Sequence, residues 1–117
     1  MRIEEIEKRL SGVDAKLEKL QRERTAWLTA ISVHERCKSE PIGEFPESAY
    51  RAYIISGTVA DAAYMLNNDN QRNGARKFIP NDISETIDNI DIDDTEIMNV
   101  ARFLLSNGRK FINFLFN

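Results

Sequence analysis

Residues 3–34 read IEEIEKRLSGVDAKLEKLQRERTAWLTAISVH, and the spacing of their apolar side chains is the strongest structural signal in the chain. With Ile3 as heptad position a, the a positions are Ile3, Leu10, Leu17, Arg24 and Ile31. The d positions are Ile6, Val13, Leu20, Trp27 and His34. Eight of these ten are apolar, and the 3-4 spacing is unbroken. A 3.5-residue period draws one narrow stripe along a helix and points to a coiled coil. A helix over residues 2–36 would be about 50 Å long. It cannot bury that stripe against itself, so it needs a partner, and the simplest partner is a second copy. The eight apolar positions Ile3, Ile6, Leu10, Val13, Leu17, Leu20, Trp27 and Ile31 are therefore the candidate oligomerisation residues.

The flanking charges bear on orientation. In a parallel, in-register pair, position g faces position e of the second helix five residues later. That rule sets Arg2 against Glu7 and Arg9 against Asp14, both attractive, then Lys16 against Gln21 and Glu23 against Leu28. No like-charge pair arises, so parallel pairing is favoured. The alternative is a helical hairpin, with this helix folded back on the chain's own later helices. Gly12 weakens the helix by about 1 kcal/mol but falls at an outer position. Arg24 at a trades stability for register.

Working outward, residues 39–47 (Ser-Glu-Pro-Ile-Gly-Glu-Phe-Pro-Glu) cannot continue a helix, because two prolines and a glycine interrupt it. The expected organisation is an oligomerisation helix over 1–38, a linker over 39–47 and a small helical domain over 48–117. The fold class is all-α: a long N-terminal coiled-coil helix followed by a small helical head.

Within the head, residues 48–56 present Ala49, Tyr50, Tyr53 and Ile54 on one face. Thr58 reads as an N-cap with Asp61 three residues on, opening a helix with Val59, Ala62, Ala63 and Leu66 on its apolar face. Pro80-Asn81 opens another, with Ile83, Ile87 and Ile90 in its stripe, and Thr95 caps a fourth, with Ile97, Ala101, Leu104 and Leu105. Asn107-Gly108 reads as the C-cap of that last helix. The tail from Phe111 to Phe116 is too apolar to lie in water and is expected to dock on the head or on a second subunit, as a helical turn or a strand.

The chain of 117 residues holds 16 Lys plus Arg and 19 Asp plus Glu, for a net charge of −3. This suits one folded domain, or a domain with one extended element. No run approaches the roughly 18 apolar residues of a transmembrane helix, and Met1-Arg2-Ile3-Glu4-Glu5 lacks the apolar core of a signal peptide. The single cysteine, Cys37, leaves no internal disulfide, which points to a reducing, cytoplasmic setting.

Chemistry-bearing signals are sparse. His34 and Cys37 share a helix face at i, i+3. They could form a Cys–His pair, or half a zinc site completed by a second copy, or they could be a seam histidine beside a buried thiol, which is the reading adopted. Asp82, Glu85, Asp88, Asp91, Asp93, Asp94 and Glu96 form an acidic run, with no Lys or Arg between residues 78 and 101. It lacks the glycine and the terminal glutamate of a calcium loop. The run reads as a solvated face and, functionally, as a surface for a basic or nucleic-acid-handling protein, with Phe114 and Phe116 of the tail as apolar contacts. Phosphate-binding loops and nucleophile elbows are absent. The expected function is that of a non-enzymatic, self-associating adaptor, regulator or inhibitor that needs no cofactor and no metal.

Residues 57–88 run Gly-Thr-Val-Ala-Asp-Ala-Ala-Tyr-Met-Leu-Asn, then through Gly-Ala-Arg-Lys-Phe-Ile-Pro-Asn-Asp-Ile-Ser-Glu-Thr-Ile. This layout resembles the helix-turn-helix of phage and plasmid DNA-binding proteins and of serine-recombinase tails. The resemblance implies a dimeric DNA-binding regulator in which Val59, Ala62, Ala63 and Leu66 pack the first helix. Arg72, Arg76 and Lys77 would then meet phosphates, and Asn81, Asp82, Ser84 and Glu85 would face bases. Against it stands the charge. Residues 50–81 carry four basic and two acidic side chains, and the proposed reading helix bears Asp82, Glu85 and Asp88. DNA affinity depends chiefly on phosphate neutralisation by Lys and Arg.

Overall fold

The computed structural model describes residues 1–89 and 95–116, with side chains up to residue 109. Five helices follow one another: α1 (Ile3–Ser39), α2 (Glu47–Ser56), α3 (Val59–Asn68), α4 (Pro80–Asp88) and α5 (Glu96–Phe116). The all-α expectation holds. The longest dimension is 69 Å against 33 and 24 Å for the others, because α1 projects far beyond the head.

α1 is one unbroken helix of 37 residues. Gly12 lies in its exposed part with no neighbour near the place a Cβ would occupy, so it costs propensity without breaking the helix. Every residue from 1 to 25 is exposed. From residue 26 onward the helix enters the head, where Ala30, Val33 and Cys37 are buried. The two sequence alternatives thus divide along the helix. Its last third packs against the chain's own α2 and α5, and its first two thirds are exposed, with no packing partner among the described residues.

The head core gathers Ala49, Tyr50, Ala52, Tyr53 and Ile54 from α2 with Ala62, Ala63 and Leu66 from α3. To these it adds Ile83 and Ile87 from α4 and Met98, Val100, Ala101 and Leu105 from α5. Thr58 caps α3 by accepting from the Asp61 N–H at 3.0 Å, and Thr95 caps α5 by accepting from the Met98 N–H at 3.2 Å. Gly57 closes α2 with φ of 88°, a left-handed position that favours glycine. Ile90, expected in the α4 stripe, lies outside the described residues.

One expectation is corrected. Asn107-Gly108 does not end the last helix, which runs on to Phe116. Gly108 lies where α5 meets α2, with the Tyr53 hydroxyl 3.7 Å from the place its Cβ would occupy. It serves packing there rather than a turn. The tail is accordingly helical in backbone. Its side chains, Phe114 and Phe116 included, lie outside the description.

Several polar locks hold the short helices in register. The Tyr50 hydroxyl donates to the Thr86 carbonyl at 2.8 Å, tying α2 to α4. Asn67 pairs with the backbone of Phe78 in both directions, donating at 2.9 Å and accepting at 2.7 Å, which pins the loop after α3. Arg102 on α5 donates to the carbonyls of Ile87 at 3.0 Å and Asn89 at 2.6 Å, covering the C-terminus of α4. Asp82, in the first turn of α4, is buried. Its carboxylate accepts two bonds from Arg76 at 2.7 and 2.8 Å and one from the Ile79 N–H at 2.9 Å. The last bond is the carboxylate half of a capping box.

The Arg76 guanidinium, helped by the Ile79 N–H and Asn73 against the cost of desolvation, holds the Asp82 carboxyl well below its ordinary 3.8, at about 2. Because folding lowers this value, the carboxylate's contribution is fully present above about pH 4 and is lost as pH falls towards 2. Asp82→Asn should lower unfolding stability near neutral pH by about 2 kcal/mol, and the deficit should shrink on acidification. Urea melts at pH 7 and pH 3 check both halves.

Candidate functional site

The outstanding surface is the stripe on α1. Ile3, Ile6, Leu10, Val13, Leu17, Leu20, Trp27 and Ile31 are all between 40% and 62% exposed. Large apolar side chains scattered singly on a surface need no explanation, but eight in one row, interrupted only at Arg24, mark an interaction face. Leu28 adds to it, exposed at 48%. At the head end the stripe meets other apolar groups. Trp27 packs edge-on against Phe103 of α5, with ring centroids 4.7 Å apart. Next to it a shallow groove of about 250 Å³ is lined by Trp27, Ala30, Ile31, His34 and Leu104. The sequence reading found the α1 members of this surface except Leu28 and Ala30. It had no means of finding Phe103 and Leu104, whose approach depends on how α5 crosses α1.

The acidic run is dispersed by the fold. Asp82 is buried beneath Arg76 and does not lie on an acidic face. Asp88 forms two bonds with Arg109, at 3.1 and 2.8 Å. Glu96 is paired with Arg36 of α1, and Glu85 accepts from the Asn81 side chain at 2.8 Å. Each described carboxylate of the run thus has a partner within the chain. Asp91, Asp93 and Asp94 lie outside the described residues.

The residues proposed to meet DNA are placed as follows. α3 and α4 are joined by an eleven-residue connection over 69–79, whereas a helix-turn-helix uses a turn of about 3–4 residues. Arg76 is committed to Asp82. Arg72 donates to the carbonyls of Asn67 at 3.2 Å and Gln71 at 2.7 Å. Lys77 is exposed. Asn81 is occupied with Glu85, and the Ser84 hydroxyl donates to the Asn81 carbonyl at 3.1 Å. Val59, Ala62, Ala63 and Leu66 do pack the inner face of α3, as any bundle helix would.

His34 and Cys37 do not converge on a reactive pair. Cys37 is turned into the head core. Burial pushes its thiol up, against the opposing field of Arg51, which disfavours the nucleophilic or metal-binding thiolate. His34 stands half-exposed on the seam side, 3.6 Å from Glu35. With Cys37 sealed in its own head, a zinc site shared between two copies has no thiol to draw on. Among the described residues no group of three His, Cys, Asp or Glu side chains is placed to hold a metal ion, and no helix is long and apolar enough to cross a membrane.

A second groove, of about 350 Å³, runs between the end of α2, the start of α3 and α5, with Tyr53, Val59, Leu105 and Arg109 among its walls. It holds no cluster of titratable groups beyond Arg109, which is paired with Asp88, and Tyr53, whose hydroxyl burial pushes up. Compared with protein-family models, with curated proteins and with solved structures, the chain matches none.

Proposed function

We propose that this protein is a non-enzymatic, self-associating adaptor or regulator. Two copies pair through the α1 stripe, and the pair presents two helical heads to a protein partner. The observation that carries the reading is the row of six apolar side chains from Ile3 to Leu20 at unbroken 3-4 spacing. All are exposed, on a stretch of helix that is itself exposed from residue 3 to residue 25, with Trp27 and Ile31 continuing the seam beyond Arg24. Such a row is stable in water only when a second helix covers it. The Arg2–Glu7 and Arg9–Asp14 complementarity supports a parallel dimer. The described carboxylates give an acidic docking face little support, since each is already partnered.

Leu10→Lys and Leu17→Lys put a charge at the centre of the stripe, in residues that have no neighbours in the isolated chain. The wild-type melting temperature should rise with protein concentration, as it does for any folded dimer. In either variant it should become concentration-independent, while the head keeps its helical circular dichroism. Concentration-independent melting of the wild type would contradict the reading.

The rival reading, a DNA-binding regulator, is tested by titrating labelled random duplex at about 50 and about 200 mM salt. We expect no binding at either. Binding that weakens tenfold or more over that range would reveal phosphate contacts and would favour the rival.

A further inference from the structure

We infer that the groove between α1 and α5 is the seat for Leu28 of a second copy, so that the dimer interface runs past the coiled coil and onto the head. This rests on the self-association reading and adds the orientation and the extent of the interface.

The side of α1 that the head covers is fixed by Ala30, Val33 and Cys37. In the heptad these are positions g, c and g. Their mean direction is about 110° from the centre of the a/d seam, at 100° per residue. The head therefore flanks the seam on its g side and leaves the seam open, which is why Ile31 remains 62% exposed beside a packed α5. In a parallel pair the g flank of one helix faces the e flank of the other. Leu28 is the apolar e residue whose neighbours on the facing g flank are Glu23, five residues before it, and Ala30 of the groove, two residues after it and so nearer in height. In its own chain it is exposed on the side away from the head. The two-fold axis carries Leu28 of each copy to the other's groove, among Trp27, Ala30, Ile31 and Leu104. The two heads then fall on opposite flanks of the coiled coil. The contact is self-complementary, as a two-fold interface requires. The groove is lined by apolar groups save for His34 and lacks only its filling.

Charge complementarity selects this occupant over an antiparallel one. Parallel pairing makes the Arg2–Glu7 and Arg9–Asp14 contacts twice each. Full-length antiparallel pairing sets g against g and e against e. It retains only Lys16–Glu23, leaves Arg9 facing Ala30, and sets Glu7 against Leu28. Antiparallel overlap of the free N-terminal part alone opposes Arg9 to Lys16 and Glu7 to Asp14, both repulsive, and gains only Arg2–Glu23.

The test uses the full chain. Leu28→Gln keeps length and helix propensity and adds no charge. It should weaken the dimer about tenfold or more by sedimentation equilibrium, since two leucines lose their burial per dimer. Tyr64→Gln, at a still more exposed site on α3, should leave the dimer unchanged. Trp27 is the sole tryptophan and lines the groove. Its emission should shift to the blue as the wild type associates, and the shift should be lost in Leu28→Gln at matched concentration. Leu10→Cys, oxidised in air, should form a disulfide-linked dimer, because parallel pairing brings Leu10 against Leu10. Full-length antiparallel pairing separates those positions by about 25 Å, but overlap of the free parts alone sets Leu10 against Val13. Ile3→Cys, about 25 Å or more from its copy in both antiparallel arrangements, is therefore the companion variant that should also cross-link. An unweakened Leu28→Gln dimer would overturn the groove assignment. A dimer in which Leu10→Cys or Ile3→Cys does not cross-link would overturn the parallel orientation while leaving self-association standing. A wild type that stays monomeric would overturn the self-association reading itself.

Discussion

The structure depends on a mismatch of length. α1 holds 37 residues, about 55 Å of helix, while the head reaches only its last third. Ala30, Val33 and Cys37 anchor that third through full burial. The same apolar periodicity continues for some twenty residues past the edge of the head with nothing to cover it. A helix so exposed gains no tertiary packing, the usual source of helical stability in proteins. The unpaired stripe and the anchored end are two consequences of one heptad pattern on one rigid rod.

The head owes its order to the same economy of parts. Its helices after α1 are short, three of them ten residues or fewer, and their packing is supplemented by directed polar contacts. Asn67 pins the loop before α4, Asp82 caps that helix and holds Arg76, and Arg102 covers its end. Several charges that a sequence reading sets aside for partners are used within the fold. Arg76 and Asp82 hold each other, Asp88 is paired with Arg109, and Glu96 with Arg36. Among the described residues, each carboxylate of the acidic run is thus already partnered within the chain.

The legibility of these features in the sequence follows the physics of each. The α1 stripe and the caps at Thr58 and Thr95 depend on residues within a few positions of one another, and all were readable. Gly108 was misread because glycine after Asn is a local stop signal, whereas its role is set by Tyr53, more than fifty residues earlier. Asp82 was read as surface because a carboxylate in a run of carboxylates resembles a solvated face; its burial needs the loop to bring Arg76 across the start of α4. The division of α1 into a free part and a packed part was equally hidden, since heptad spacing is the same in both. Phe103 and Leu104 become part of the candidate surface only through the crossing of α5 over α1.

Sedimentation equilibrium of the full chain across micromolar concentrations tests the central claim most directly. The account predicts a mass of about twice the 13.5 kDa of one chain, dissociating toward the single-chain mass on dilution. A mass of 13.5 kDa at every concentration would contradict it, leaving the exposed stripe on α1 without the second copy on which this reading rests.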